Sequence, residues 1–187
     1  MSLFENIDET DEDILFLKNN VDTINNWTEL ECSEIIVDSK YDLWTENKSY
    51  LLANYIHKKK NLLYAFFSDA GMFGMFSSEE LKNYTGEELV YIEKGYQFFT
   101  FHISHRVHIP PRQFQFTHPR NELIGIPSQY DYDQILTLKD GFVLDKNMIV
   151  QPNKRDIQRY YGFQSMDVTR PIPIKRLLIV ECTNPAL

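Results

Sequence analysis

Between Gln97 and His118 the chain reads QFFTFHISHRVHIPPRQFQFTH, alternating apolar and polar side chains at a period of two. Successive side chains of a strand point to opposite faces, so this period restricts the stretch to β-structure with two chemically distinct sides. Odd positions carry Phe99, Phe101, Ile103, His105, Val107 and Ile109, and even positions carry Phe98, Thr100, His102, Ser104, Arg106 and His108. The pattern predicts a sheet with one core-facing side and one side open to water. Pro110 and Pro111 have no amide hydrogen to give and must bend the chain or end the ladder. Phe114 and Phe116, set against Gln113, Gln115 and Thr117, then resume as a second amphipathic strand.

Around this segment the chain is rich in short apolar runs. Leu62–Phe67 reads as a buried strand, and the glycines and apolar residues of Ser68–Phe76 read as a hairpin or bulged turn with an apolar tip. Leu89–Ile92 and Gln97–Ile103 flank Glu93-Lys94-Gly95, a turn signal that predicts a hairpin; a helix from Thr85 with Gly95 as its stop is the rival reading. Further strands are expected over Glu122–Ile126, Ile135–Leu138, Gly141–Val150 with a turn at Asp145-Lys146-Asn147, and the terminal run Arg176–Cys182.

Helical spacing is concentrated near the N-terminus. Ile14, Leu17, Val21 and Ile24 repeat at helical intervals behind an acidic first turn, with Thr10 placed as N-cap, which predicts a helix to about Trp27. Leu51, Leu52, Tyr55 and Ile56 predict a second helix across Ser49–Lys60, closed by its lysines. Ser77 and Glu80 have capping-box spacing for a short helix to Tyr84, and Asn153 caps one over Lys154–Tyr161 that stops at Gly162.

The chemistry in these patterns centres on the even face of the histidine segment. Four of the five histidines lie in it, which raises the question of a metal. His102 and His108 share a face but stand roughly 20 Å apart on a straight strand, too far to chelate one ion, so no metal is expected. His105, on the apolar side, reads as a core histidine with its nitrogens satisfied. His102, Ser104, Arg106 and His108 together form a row in which the planar guanidinium could receive a carboxylate or phosphate. Asp38-Ser39-Lys40, following the apolar run of Glu34–Val37, has the carboxylate and lysine order of metal-dependent nuclease sites, but a polar turn after a strand is the plainer reading. Ser68–Phe76 lacks both the GxGxxG and the Gly-Lys-Ser/Thr endings of phosphate-binding loops.

Composition narrows the classes. With 19 Lys and Arg against 27 Asp and Glu, the net charge of −8 argues against general nucleic-acid binding. Two cysteines, Cys32 and Cys182, far apart in sequence and without CxxC or Cys/His spacing, indicate neither a disulfide framework nor a zinc site. The acidic N-terminus is unlike a signal peptide and no long apolar segment is present, so a cytoplasmic protein without a membrane partner is expected.

The 187 residues suit a single domain, with residues 1–12 as a flexible acidic arm. The expected fold class is α+β, N-terminal helices packed on a largely antiparallel sheet, with a β-sandwich or barrel carrying helical additions as the alternative. The expected function is binding or regulation through contact with a protein partner. Its alternative is an enzyme or small-molecule-binding domain that uses the His/Arg-lined face for an anionic ligand; no cofactor is called for in either case.

Overall fold

An acidic first turn, Glu12 and Asp13, opens the first helix. The computed structural model describes residues 10–41, 50–81, 89–117, 119–128, 133–153, 155–163 and 170–185. Helix α1 (Glu12–Thr28) is capped by Asp11 rather than by Thr10: the Asp11 carboxylate accepts from the Ile14 amide at 3.2 Å. Its end is closed by Glu29 in the left-handed conformation, whose amide donates to the Asn25 carbonyl at 2.8 Å. The expected acidic arm falls largely on residues outside the described set; Asp11 and Glu12, at its end, belong to the folded helix.

Next come β1 (Glu31–Asp38), α2 (Tyr50–Ile56), β2 (Leu62–Ser68) and β3 (Gly71–Ser77). Helix α2 stops at Ile56, before the lysines, because Lys58 adopts a left-handed conformation and Lys59 turns to pair with Glu181 at 2.6 Å. β2 and β3 form a hairpin turned by Asp69-Ala70. The apolar residues expected at its tip lie instead along β3 and are buried on both faces. No helix begins at Ser77: residues 78–80 are irregular, Leu81 forms an isolated bridge with His57, and 82–84 lie outside the described residues.

The chain continues through β4 (Leu89–Glu93), β5 (Phe98–Ser104), β6 (Arg112–Gln115), β7 (Glu122–Pro127), β8 (Gln134–Leu138), β9 (Phe142–Asp145) and β10 (Ile149–Pro152). It ends with α3 (Asp156–Tyr161), β11 (Ile172–Pro173) and β12 (Arg176–Thr183). α3 begins at Asp156 with Arg155, not Asn153, at its N-cap and no side-chain cap bond; the Asn153 carbonyl accepts from the Ile157 amide at 3.0 Å, and the helix stops, as expected, at a left-handed Gly162. Leu89–Glu93 is strand, which excludes the rival helix there; 82–88 lie outside the described residues.

The described strands form two six-stranded sheets, ordered β1-β12-β2-β3-β5-β6 and β11-β10-β9-β8-β7-β4. Every strand pairing in them is antiparallel. β4 and β5 are not a hairpin: β4 pairs with β7 in one sheet and β5 with β3 and β6 in the other, so Glu93-Lys94-Gly95 begins a crossing between sheets. The two sheets share a core in which Phe66 and Phe73 of the first meet Phe142 of the second, ring centroids 5.4 and 6.3 Å apart. α2 and α3 contribute Leu52, Ala53, Ile56, Ile157 and Tyr161 to that core.

α1 covers the other face of the first sheet. Ile14, Leu17 and Ile24 pack there with Leu63, Phe67, Phe99, Phe101 and Leu178, and Trp27 lies 6.2 Å from the rings of both Phe99 and Phe101. A largely antiparallel β-structure with an N-terminal helix packed on it is therefore what the chain forms. Among the described residues no helix is long and apolar enough to cross a membrane.

One end of the first sheet is tied to α1 by charge. Arg176, 3% exposed at the start of β12, donates through Nε to Asp38 Oδ1 at 2.8 Å and through Nη1 to Asp11 Oδ1 at 2.6 Å, while Nη2 meets the second Asp38 oxygen. Lys40 pairs with the other Asp11 oxygen at 3.0 Å, and Ser39 Oγ accepts from the Leu177 amide at 2.8 Å. Asp38-Ser39-Lys40, which could have begun a nuclease site, is thus a clamp between β1, β12 and the α1 cap.

Candidate functional site

β5 lies in the interior of the first sheet, between β3 and β6, and this placement decides the fate of the histidine face. Parity separates its two sides as expected, but both are buried. Phe99, Phe101 and Ile103 face α1, while Phe98, Thr100 and His102 face inward, with His102 8% exposed. The expectation of a water-covered side fails because the second sheet and α3 cover it. The Thr100 hydroxyl that reads as polar surface donates to the Tyr161 carbonyl at 2.6 Å.

β5 also ends at Ser104, well before the prolines. Residues 105–111 form a loop, so Arg106 and His108 are loop residues and strand parity does not apply to them. His105 is not a core residue: it is exposed, its ring 4.3 Å from that of Phe16 on α1. His118 lies outside the described residues.

Three of the four candidate residues nevertheless come together. His102, Ser104 and Arg106 line a cleft of about 390 Å³, joined by Ser68, Asp69 and Ala70 of the β2–β3 turn. Phe73, Ile109, Ile172 and Pro173 supply apolar walls, the last two from the second sheet, so the cleft opens where the two sheets meet at one end. The volume falls in the range of small-molecule sites, roughly 300–1,000 Å³. His108 does not line it.

Backbone bonds hold the cleft's rim. The His105 amide donates to the Ala70 carbonyl at 3.1 Å, the Arg106 amide to Ser104 Oγ at 3.1 Å, and the Ile109 amide to the Arg106 carbonyl at 2.9 Å. Ser68 Oγ donates to the Gly71 carbonyl at 3.2 Å and accepts from the Ala70 amide at 3.3 Å. The turn and the loop approach this closely because residue 71 is glycine: at its φ of +141° a Cβ would lie 2.2 Å from the Ile103 carbonyl oxygen.

The charge at the mouth is uneven. Asp69 pairs with Lys175 at 2.6 Å, and the lysine's hydrogen bond holds that carboxyl below the ordinary carboxylate range. Arg106 is exposed, and its guanidinium has no partner among the described residues. Among the described residues the one rim carboxylate is thus neutralised, while a planar cation stays available beside His102 and Ser104. Both serine hydroxyls are engaged with carbonyls of the β2–β3 turn, Ser68 as above and Ser104 with Ala70 at 3.5 Å, so neither is set up as a nucleophile. Among the described residues no three His, Cys, Asp or Glu side chains are grouped to hold a metal ion. Neither a family model nor a curated protein matches the chain.

Sequence reasoning missed Ser68, Asp69, Ile172 and Pro173. The Ser68-Asp69 turn was visible, but nothing in sequence places residues 172–173 of the other sheet across from it.

Proposed function

We propose that the protein binds a small organic anion, a carboxylate or phosphate joined to an apolar body, in the cleft between the β2–β3 turn and the loop that follows β5. The observation that carries this reading is the unpaired Arg106 guanidinium at the mouth of a cleft walled by Phe73, Ile109, Ile172 and Pro173. The guanidinium offers a two-pronged donor face to the anion, and the aromatic and aliphatic walls take the apolar part. His102 adds a ring nitrogen at depth. The helix-backed pair of sheets, an α+β domain of sandwich type, serves as rigid support for two short loops. A cytoplasmic setting, whose reducing poise suits the free thiols of Cys32 and Cys182 at rest, belongs to the same reading.

Contact with a protein partner, the other reading, has less behind it. Among the described residues, the exposed large apolar side chains Leu15, Tyr41, Tyr55, Tyr96 and Val107 lie on five separate segments, which is ordinary for a protein surface.

Isothermal titration with phenyl phosphate and benzoate, and with benzyl alcohol as the uncharged control, tests the proposal. Both anions are expected to bind and the alcohol to bind at least about tenfold more weakly, the size of one lost charge-assisted contact. Arg106→Ala should remove that preference without changing Tm, and His108→Ala should leave it intact. Absence of anion binding, or equal binding by the Arg106→Ala variant, rejects the reading.

A further inference from the structure

We propose that Cys32 and Cys182 form a reversible disulfide across β1 and β12, a modification site at the opposite end of that strand pair from the Arg176 clamp. The two residues are direct partners in the antiparallel register, and their sulfurs lie 3.8 Å apart. The cross-strand geometry suits a bond. The Cys32 amide donates to Asn25 Oδ1 at 3.1 Å and the Cys182 amide to the Asn61 carbonyl at 2.9 Å. Neither amide serves the other cysteine, so this is the non-hydrogen-bonded kind of pair, whose Cα atoms stand about 4.5 Å apart. A disulfide accepts Cα separations of about 4.4–6.8 Å and needs the sulfurs at about 2.05 Å, a distance that side-chain rotation with a small backbone adjustment can close.

Access to the pair is restricted. Cys182 is 1% exposed and Cys32 is 7% exposed. The hydrogen bond with Cys32 and burial push the Cys182 thiol up, so little thiolate is present at neutral pH. Entry is through Cys32, because β1 is an edge strand whose pairing with β12 is interrupted by register shifts at Cys32/Glu34 and Ile35/Val37. Edge segments with broken ladders open before a sheet's centre does. The pair therefore responds to sustained oxidation rather than to a brief pulse.

The oxidant class is a low-molecular-weight disulfide such as glutathione disulfide. The Cys32 thiol gives its proton to solvent, and its thiolate attacks one glutathione sulfur, forming a mixed disulfide and expelling a glutathione thiolate that takes up a proton. Cys182, deprotonated in turn, attacks the Cys32 sulfur and expels the second glutathione. Two thiols are oxidised to one disulfide, and one glutathione disulfide is reduced to two glutathione thiols.

The full chain, equilibrated over hours in glutathione buffers from reducing to oxidising, is denatured in alkylating reagent and weighed. Under oxidising conditions the protein should lose both alkylations and weigh two hydrogens less than the reduced, unalkylated chain. Its Tm should rise on the order of 10 °C, as expected for closing so long a loop, and reducing agent should reverse both changes. Cys32→Ser and Cys182→Ser should each lose the rise. Persistence of two alkylated thiols, a mixed disulfide that never resolves, a bond only between chains, or an unchanged Tm overturns the proposal.

Discussion

Arg176 shows how one buried charge organises its surroundings. Its guanidinium sits among the carboxylates of Asp38 and Asp11, with Asp13 3.9 Å away, so three elements meet on one side chain. Removing one partner from such a group leaves a buried charge with part of its compensation gone. Asp38→Ala is therefore expected to cost about 3–5 kcal/mol, measured by urea denaturation; a loss below about 1 kcal/mol would mean the group behaves as an exposed pair. Burial pushes the Asp11 carboxyl up, but hydrogen bonds from Lys40, Arg176 and the Ile14 amide outweigh this and hold it below the ordinary range. A depressed folded value means that Asp11 contributes stability in full above the unfolded carboxylate pKa, about 3.9. That contribution disappears as pH falls through the folded value. Asp13, pushed up by burial against the pull of Arg176, acts in the opposite sense and is common to both proteins in the comparison. Asp11→Asn should thus be less stable than the parent near neutrality and converge with it below about pH 4, as followed by Tm across pH; a gap of constant size would refute the linkage. None of this was legible in sequence, because Asp38 and Asp11 acquire their roles only when Arg176, from far along the chain, arrives between them.

β5 was the most legible element and also the most misleading. Its strand character and the division into two faces followed from alternation alone. Which faces would be wet did not, because Thr100 and His102 look like surface residues until a second sheet and α3 are placed over them. Isolated hydroxyls are buried at little cost when a carbonyl stands opposite, as that of Tyr161 does. The neighbouring β2–β3 hairpin depends on one backbone conformation. Gly71→Ala forces a strained φ, worth about 1–3 kcal/mol, together with a clash against the Ile103 carbonyl. Because that hairpin forms the cleft wall, the variant should lose anion affinity along with stability. Retention of both would show that the turn can relax away from β5.

For the molecule as a whole, the described strands form two sheets around a shared core rather than the single sheet expected, and the reason lies in connections. β4 and β5, neighbours in sequence across a turn signal, belong to different sheets, and local pattern cannot report such a crossing. The sheets depend on one another through rings such as Phe142, which meets both Phe66 and Phe73. Phe142→Ala is expected to cost about 3–5 kcal/mol and to shift one shared unfolding transition; two separate transitions would mean the sheets fold independently. The strand order carries a further consequence, for synthesis. β12 lies between β1 and β2, yet it is the latest of the described strands in chain order. While the polypeptide is being made, β1 and the wholly apolar-backed β2 wait with an empty slot between them, a gap that only its own strand fills correctly. During that interval the nascent chain offers an unpaired ladder to any other extended segment, including one from a second copy, so chaperone shielding matters most just before Arg176 emerges.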